Sequence, residues 1–376
     1  MSNISISSKF DSGNIEVLKA QSFDDIQVNV EQDSNSDYLQ YFFFRVSGIE
    51  DQECTIKIMN ASETTYPFWN EYYVYASYDK QNWFLVPTEY NGKELVINHT
   101  AACNTVYYAY YPPFSYEQHL ELIGECQTSG LCSSEVLGQT VEGRDIDFLQ
   151  IGFPSKSKKK IWVIARQHPG ESMAEWFMQG FLRRLLDEDD SVSKALLNKA
   201  VFYVVPNMNI DGSILGNLRA NAAGANLNRE WADPSLEKSP EVFHVRNAMD
   251  ELGVDFCLDV HGDEEIPYNF ISASEGAPSY NDKIAANEKS FIQSWMGTCP
   301  DFQDTHGYDK DEPGKADLRI CTPQITERYK ALCLTIEMPF KDNHDLPDPL
   351  FGWSTTRSEK LGASVLQPTL AIIDKL

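Results

Sequence analysis

The chain has 376 residues, 42% of them hydrophobic, and a formal net charge of −25 at pH 7. Its length predicts about two domains with sizeable cores. The negative charge argues against a nucleic-acid partner, because phosphate binding requires clustered Lys and Arg. No apolar run is long enough to span a membrane, and the first ten residues, MSNISISSKF, contain no apolar signal region. We therefore expect a cytoplasmic protein that associates with neither nucleic acid nor membrane.

The eight cysteines lie at irregular spacing along the chain. In a chain of this size, such spacing is typical of scattered reduced thiols and not of a disulfide framework. Cys126 and Cys132 are the closest pair, and no second pair completes a zinc ribbon. The cysteines are thus predicted to be structural, and reduced thiols agree with a cytoplasmic location.

The segment that ends near residue 112 contains short runs rich in Tyr, Phe, Val and Ile. Their composition and spacing are typical of strands, so residues 1–112 are predicted to form an antiparallel β-sandwich domain. Asn91 and Gly92 separate two of the runs, and both residue types tolerate the positive φ of a two-residue hairpin turn. The runs are YLQYFFFRV, CTIKIMN, YYVYASY, WFLVPTEY, ELVINHT and VYYAYY.

Residues 113–376 show a different pattern, in which apolar strands alternate with helical segments. The strands are IWVIA, AVFYVV, VDFCLDV and ALCLTIE. Helices are predicted from about Glu171 and near Pro240 to Leu252. This alternation implies crossover connections, so we predict an α/β domain whose largely parallel or mixed sheet is flanked by helices.

Three candidate metal ligands follow two of these strands. His168 and Glu171 come directly after IWVIA, and His261 comes after VDFCLDV. The carboxyl ends of strands in an α/β sheet gather at one edge, so these side chains can meet in space. The His-x-x-Glu pair alone would be weak, because a helix-capping glutamate beside a surface histidine looks the same. With His261 the set leaves one tetrahedral position open, which is typical of a catalytic zinc site.

Glu337 ends the apolar strand ALCLTIE. A carboxylate at the end of a buried strand is costly unless it has a partner or a task. We interpret Glu337 as a general base that acts on water beside the metal.

Four motifs together resemble the zinc metallocarboxypeptidases related to carboxypeptidase A, and most of all their cytosolic carboxypeptidase branch. The motifs are HPGE, PNMNIDGSILGNLRANAAGANLNRE, DVHGD and TIEMPF, and the segment YYPPFSY is similar to the aromatic-Pro-Pro-aromatic end of that branch's N-terminal sandwich. The resemblance implies a mixed sheet of the eight-stranded carboxypeptidase type behind a β-sandwich. It also implies one zinc ion per chain and, as substrate, the C-terminal or side-chain-linked glutamyl bond of a peptide or protein.

The resemblance also implies roles for individual residues. His168, Glu171 and His261 match the zinc ligands. Glu337 matches the glutamate that takes a proton from the attacking water and passes it to the leaving amine.

Two arginines and an asparagine complete the implied site. Arg219 matches the arginine that polarises the scissile carbonyl and holds the oxyanion, while Asn228 and Arg229 match the pair that grips the terminal carboxylate. The chemistry agrees, since a guanidinium binds carboxylates bidentately and stabilises charge that develops in the transition state. The alternative for both arginines is solvated loop charge.

One position departs from the family, and two others have no definite counterpart in it. Asn226 stands where many relatives have an acidic residue that holds the first zinc histidine, so only its carbonyl could orient the ring. Tyr308 is our candidate for the mobile tyrosine of the digestive enzymes. Arg319 is our candidate for a pocket cation that would favour acidic C-terminal residues, with a surface ion pair to a neighbouring Asp as its alternative.

Two other functions remain open at this stage. One is a zinc amidohydrolase or deacylase of small acyl amino acids, similar to aspartoacylase. The other is a non-catalytic binding protein on the same fold. Nothing in the sequence indicates an oligomeric state.

Overall fold

The computed structural model describes residues 4–376. Residues 1–3, which begin the MSNISISSKF segment, lie outside the described residues. Within the described range, no helix combines the length and the apolar character that crossing a membrane requires.

The first part of the chain forms two five-stranded sheets. Their strands are β1 (Ser5–Ser7), β2 (Glu16–Lys19), β3 (Ile26–Asn29), β4 (Phe43–Ser47), β5 (Glu53–Ile58), β6 (Val74–Ser77), β7 (Trp83–Val86), β8 (Thr88–Tyr90), β9 (Leu95–Thr100) and β10 (Thr105–Ala109). One sheet has the order β1-β4-β10-β6-β7 and is antiparallel throughout; the other has the order β2-β3-β5-β9-β8. In the second sheet, β3 and β5 are parallel. The chain between them passes through β4 in the other sheet and therefore returns in the same direction.

Two local predictions in the sandwich were wrong. The run WFLVPTEY is not one strand, because Pro87 has no N–H for a ladder and divides it into β7 and β8, which belong to different sheets. The predicted two-residue turn at Asn91 and Gly92 is a four-residue loop between the paired residues Tyr90 and Leu95. Of the two, only Gly92 has positive φ, at 90°.

The second part of the chain contains a seven-stranded mixed sheet with the order β11-β12-β14-β13-β15-β17-β16. Its strands are β11 (Cys132–Gln139), β12 (Asp145–Ile151), β13 (Lys159–Ala165), β14 (Ala200–Val205), β15 (Phe256–Asp263), β16 (Phe270–Ser272) and β17 (Leu332–Pro339). The four central strands, β14, β13, β15 and β17, are parallel, and the outer three are antiparallel to their neighbours. The predicted fold class is confirmed, although within residues 4–376 the sheet has seven strands and not eight.

Nine α-helices accompany this sheet within the described range: α1 (Tyr116–Gln127), α2 (Met173–Leu185), α3 (Ser191–Lys199), α4 (Ile210–Leu215), α5 (Pro240–Leu252), α6 (Asp282–Met296), α7 (Cys321–Tyr329), α8 (Thr355–Ser364) and α9 (Leu366–Ile372). The predicted helix from Pro240 to Leu252 is confirmed. The helix predicted from about Glu171 begins at Met173, because the preceding residues form a tight turn in which the Glu171 N–H donates to the His168 carbonyl (3.2 Å).

The end of the sandwich packs directly against the second part of the chain. The rings of Tyr110 and Phe340 stack with centroids 4.4 Å apart. The Pro112 carbonyl accepts hydrogen bonds from the Ser172 hydroxyl (2.9 Å) and the Trp176 indole (3.1 Å). The segment that leaves the sandwich is therefore held at the start of α2, next to the candidate metal ligands.

Candidate metal centre and active site

The carboxyl ends of the central strands bring the predicted site residues together. β13 ends at Ala165, which is paired with Val260 on β15. The next residue of β15, His261, is in register with Glu337 on β17. Parallel strands end at the same edge of a sheet, and that edge is where open α/β sheets bind ligands.

The turn that carries His168 is held by Arg166. This residue has φ of 58°, a conformation that costs a non-glycine residue on the order of 1–3 kcal/mol. Its buried guanidinium donates to the carbonyls of Phe114 (2.8 Å) and Pro169 (2.9 Å) and to the Glu175 carboxylate (2.6 Å). These contacts stabilise the direction in which the chain leaves β13.

Gly170 in this turn touches the loop that carries Arg219. Its N–H donates to the Leu218 carbonyl at 2.8 Å. A Cβ on Gly170 would lie 2.9 Å from the Leu218 Cα, closer than side chains approach backbone. The absence of a side chain therefore lets the two loops of the site meet.

His168, Glu171 and His261 form a compact, buried group of donor atoms. The Nδ1 atoms of the two histidines are 3.1 Å apart. The Glu171 carboxylate lies 2.7 Å from the His168 Nδ1 and 2.8 Å from the His261 Nδ1. The ligand atoms of the three residues lie within 4.8 Å of one another, as a shared metal ion requires.

The outer ring nitrogens of the two histidines each contact an oxygen. The His168 Nε2 is 3.0 Å from the Asn226 Oδ1, and the His261 Nε2 is 3.0 Å from the Asp259 carboxylate. Each Nε2 can donate a proton to its oxygen acceptor, which leaves each Nδ1 as the ring nitrogen available to a metal ion. Such acceptors orient metal-bound histidines. Asn226 thus has the predicted contact, whereas Asp259 was missed, although it lies two residues before His261 on the same face of β15.

The electrostatics of the group fit a cation. Burial lowers the pKa of His168 to about 4, so its ring is neutral and able to act as a ligand. Burial opposes charge on His261, but the carboxylates of Asp259 and Glu171 outweigh it and raise its pKa well above the usual value. Two imidazole nitrogens and a carboxylate are a preferred donor set for zinc, and the group therefore fits that ion.

The candidate site opens into a cavity of about 430 Å³. Glu337 lines this cavity together with His168 and Glu171. The residue is only 7% exposed, and its Oε2 atom has no hydrogen-bond partner among the described residues. Burial raises the pKa of Glu337 well above its usual range. A carboxyl group with a free oxygen beside the metal ligands is placed to exchange a proton with a bound molecule.

Arg219 is held in the cavity by residues of the sandwich. The buried Asp33 carboxylate accepts hydrogen bonds from the backbone N–H groups of Leu218 (2.6 Å), Arg219 (2.7 Å) and Ala220 (2.8 Å). The Arg219 guanidinium lies over the ring of Tyr66 at 5.4 Å, and the Tyr38 ring is 6.0 Å away. The sequence contains no local signal for these three sandwich residues, because they lie far from Arg219 along the chain.

Asn228 and Arg229 line the same cavity. The Asn228 Oδ1 accepts the backbone N–H of Cys321 at 2.9 Å. This bond turns the amide so that its Nδ2, a donor, is available to a bound molecule. The Arg229 guanidinium donates one bond to the Asn228 carbonyl (2.7 Å) and has further N–H groups for a carboxylate.

Comparison with known proteins identifies the family. Residues 6–111 match the cytosolic carboxypeptidase N-terminal domain, and residues 117–310 match the zinc carboxypeptidase family. The chain belongs to the zinc carboxypeptidase family. The resemblance seen in the four motifs is thereby confirmed, and the protein is a metallocarboxypeptidase.

Solved structures and sequence relatives agree with this assignment. A metallo-carboxypeptidase from Burkholderia cenocepacia is 44% identical with a TM-score of 0.97, covering 100% of both chains. A metallo-carboxypeptidase from Pseudomonas aeruginosa, in complex with (2-guanidinoethylmercapto)succinic acid, is 42% identical with a TM-score of 0.97 over 99% of both chains. Cytosolic carboxypeptidase 6 of Caenorhabditis elegans is 25% identical over 90% of this chain and 79% of its own length.

Two other predicted site residues of this metallocarboxypeptidase lie in different surroundings. Tyr308 lines the cavity, but its hydroxyl donates to the Asp263 carboxylate at 2.5 Å and is not free. Arg319 does not line the cavity that contains Glu337. Its side chain is 67% exposed and forms an ion pair with Asp317 at 2.7 Å, because the chain turns toward solvent before α7. The structure thus contradicts the predicted pocket position of Arg319 and agrees with the surface ion pair.

The ligand group makes a prediction about metal content. We expect about one tightly bound metal ion per chain, and His261→Ala should lose it because one of three converging donors is gone. The control His344→Ala, which removes an exposed histidine, should keep the metal. Elemental analysis after dialysis tests both variants. A full equivalent of metal in His261→Ala would contradict this ligand set.

Proposed function

We propose that this metallocarboxypeptidase uses one zinc ion per chain to hydrolyse the C-terminal peptide bond of a peptide or protein. One observation carries the proposal: a single cavity is lined by His168 and Glu171 of the three-residue ligand group, by the buried carboxyl group of Glu337 and by two separate arginines. This combination provides a partner for each charge that develops or is present during removal of a C-terminal residue.

His168, Glu171 and His261 would hold the zinc ion. Zinc in such a site acts as a Lewis acid and lowers the pKa of water, which makes a nucleophile available at neutral pH. Glu337 accepts the proton of the attacking water and delivers it to the leaving amine. The free Oε2 of Glu337 supports this role, since an oxygen already engaged by the protein could not accept the proton.

Arg219 stabilises the oxyanion that forms from the scissile carbonyl. Preorganised cations and donors are effective here because they do not have to reorient as the charge develops. The three hydrogen bonds to Asp33 and the rings of Tyr38 and Tyr66 support such preorganisation. In this proposal the sandwich contributes to catalysis, although none of its residues reacts.

Asn228 and Arg229 bind the terminal carboxylate and so make the enzyme an exopeptidase. The Nδ2 of the buried Asn228 and the remaining N–H groups of Arg229 are donors that line the cavity and suit a terminal carboxylate. The Pseudomonas relative binds a compound that carries a guanidino group and a succinic acid group, and carboxylate binding by Arg229 would suit such a ligand here. The aspartoacylase-like alternative is less favoured, because the family match and the N-terminal domain are those of carboxypeptidases.

The predicted preference for acidic C-terminal residues has lost its main support. It depended on Arg319, which lies outside the cavity. The cavity instead includes the carboxylates of Asp263, Glu265 and Asp309, which would repel an acidic side chain. We therefore propose that acidic C-terminal residues are not favoured, and that Arg319→Ala leaves the specificity profile unchanged.

We further propose a cytoplasmic location. All eight cysteines are free thiols in the structure, and six of them are buried. Scattered unpaired thiols suit a reducing compartment. The substrate would then be a cytoplasmic peptide or protein chain end.

The role of Glu337 leads to a kinetic prediction. Glu337→Gln keeps the side-chain shape but cannot accept the proton, and general acid–base groups contribute about 10²–10⁴-fold. We expect a loss of at least about a hundredfold in kcat on this scale, with the metal retained. The control Glu312→Gln changes an exposed glutamate and should have normal kcat. Near-normal turnover of Glu337→Gln would refute the role.

The contact between the sandwich and Arg219 leads to a second prediction. Asp33→Asn replaces one of the two oxygens that accept the three N–H groups by an NH₂ donor, which then faces at least one of those N–H groups. Loss of an oxyanion donor costs about 10²–10³-fold, so we expect kcat to fall at least about tenfold as Arg219 is displaced, with metal content retained. Asp37→Asn, an exposed change in the same segment, is the control.

A double-mutant cycle separates this effect from general damage. In an Arg219→Ala background, Asp33→Asn should cost little further activity, because the residue that it positions is already absent. Equal losses in the two backgrounds would show that Asp33 does not act through Arg219.

The terminal-carboxylate grip leads to a third prediction. Peptides with a free C-terminal carboxylate should be cleaved, whereas the same peptides with a C-terminal amide should not, because Asn228 and Arg229 then have no anion to bind. Mass spectrometry of the products tests this pair. Internal cleavage of amidated peptides would contradict the exopeptidase assignment.

A further inference from the structure

The cavity contains a carboxyl group that the proposed catalytic steps do not use. Glu264 directly follows β15, the strand that carries His261. It lines the same cavity as Arg219 and Glu337. It is 8% exposed, and its Oε1 atom has no hydrogen-bond partner among the described residues. An unpaired buried acceptor is costly. Burial raises the pKa of Glu264 to about 8 although Arg219 favours its charged form, so a cationic group of a bound molecule would stabilise the carboxylate and pair the free oxygen.

Glu264 lies at the sandwich end of the cavity. The carbonyl of its neighbour Asp263 accepts the N–H of Phe340 at 3.1 Å, and the Phe340 ring stacks on Tyr110 at the end of the sandwich. Asn228, which is proposed to bind the terminal carboxylate, is attached to a different element. Its Oδ1 accepts the N–H of Cys321 at the start of α7. Glu264 is thus attached to a wall of the cavity different from the one that would bind the substrate's C-terminus.

The charge of the cavity also requires explanation. Arg219 and Arg229 are the cations among the described residues that line it, and both have roles toward anionic groups of the substrate. Carboxylates are more numerous, and besides Glu264 they include the exposed Glu265, Asp309 and Asp311 at the rim. With the terminal carboxylate of a substrate bound at Arg229, this excess of negative charge favours a positive charge elsewhere on the substrate.

We propose that Glu264 binds a cationic nitrogen of the substrate on the N-terminal side of the scissile bond. The chemical class is an ammonium group that belongs to the residue contributing the scissile carbonyl. The inference rests on the proposed function, because it takes the orientation of the substrate from the roles of Arg219, Asn228 and Arg229.

Covalent geometry favours the free α-ammonium of a dipeptide as this group. The α-nitrogen is separated from the carbonyl carbon by one Cα, through bonds of about 1.46 and 1.52 Å. An α-ammonium therefore lies next to the carbonyl whose oxygen Arg219 would hold. A lysine side chain at the same position has the same chemistry, but its ammonium is at the end of a flexible four-carbon stem. The enzyme would then act best on dipeptides with a free N-terminus.

The test compares four substrates that share a free C-terminal carboxylate: Ala-Phe, N-acetyl-Ala-Phe, Lys-Phe and N-acetyl-Lys-Phe. A hydrogen bond to a charged group contributes enough for about a tenfold or larger preference. We expect kcat/KM for Ala-Phe to exceed that for N-acetyl-Ala-Phe by at least about this factor. In Glu264→Gln, which keeps the shape and removes the charge, the ratio should fall to about one on the same basis.

The matched control is Glu312→Gln. It removes the same charge from an exposed side chain that does not line the cavity, and should keep the preference for the free dipeptide. Melting temperature and metal content of both variants should equal those of the wild type, which separates recognition from damage to the fold or the metal centre.

The acetylated pair distinguishes the two sources of the ammonium group. Faster cleavage of N-acetyl-Lys-Phe than of N-acetyl-Ala-Phe, lost in Glu264→Gln, would assign the subsite to a side-chain ammonium. A wild-type enzyme that cleaves N-acetyl-Ala-Phe as well as Ala-Phe, and N-acetyl-Lys-Phe no faster, would overturn the subsite and leave the carboxypeptidase proposal intact. An unchanged ratio in Glu264→Gln would also overturn it. Cleavage of none of the four, nor of longer peptides, would contradict the proposed function itself.

Discussion

The parallel pairing of β15 with β13 and β17 is the constraint on which the active site depends. It places His261 beside Glu337 and brings the turn after Ala165 to the same edge. Successive side chains of a strand point to opposite faces, so a shift of one residue would turn His261 away from His168 and Glu171. The same alternation places Asp259 on the face of His261, where it holds the ring from behind. Backbone pairing therefore determines the positions of both the candidate ligand His261 and the carboxylate that supports it.

The second condition is the contact between the sandwich and the loop that carries Arg219. A buried carboxylate is stabilised when several N–H groups donate to it, and Asp33 has three such donors. Burial nevertheless raises the pKa of Asp33 to about 6. The bonds connect residues that are about half the chain apart. With the contact between Gly170 and Leu218 they join the sandwich, the loop that carries Arg219 and the turn that carries His168 in one continuous set of contacts. The N-terminal domain is in this sense a wall of the active site.

Buried charges outside the cavity have a structural explanation. Arg166 contacts Glu175, which lies 2.6 Å from the Nδ1 of His119, while the His119 Nε2 is 3.0 Å from Asp147. Burial disfavours charge on His119, but the two carboxylates raise its pKa to about 9. The network is satisfied internally and supports the strained turn at Arg166. Glu264 and Glu337 differ from it, because each has an oxygen without a partner in the cavity. The satisfied network stabilises the scaffold, whereas the unpaired oxygens of Glu264 and Glu337 lie at the cavity and are available to a bound molecule.

The sequence by itself determined the fold class, the two-part organisation of the chain and the candidate ligands His168, Glu171 and His261. These features depend on local information: hydrophobic runs, turn residues and short motifs at strand ends. Three kinds of feature were decided by the tertiary structure. The direction of the chain at Pro87 and between β3 and β5 depends on which sheet each strand joins. The position of Arg319 depends on where the chain turns before α7, and a charged residue near a motif can face either the cavity or solvent. The contacts of Asp33 and the unpaired oxygen of Glu264 in the cavity depend on residues that are distant in sequence. Only folding brings these residues together.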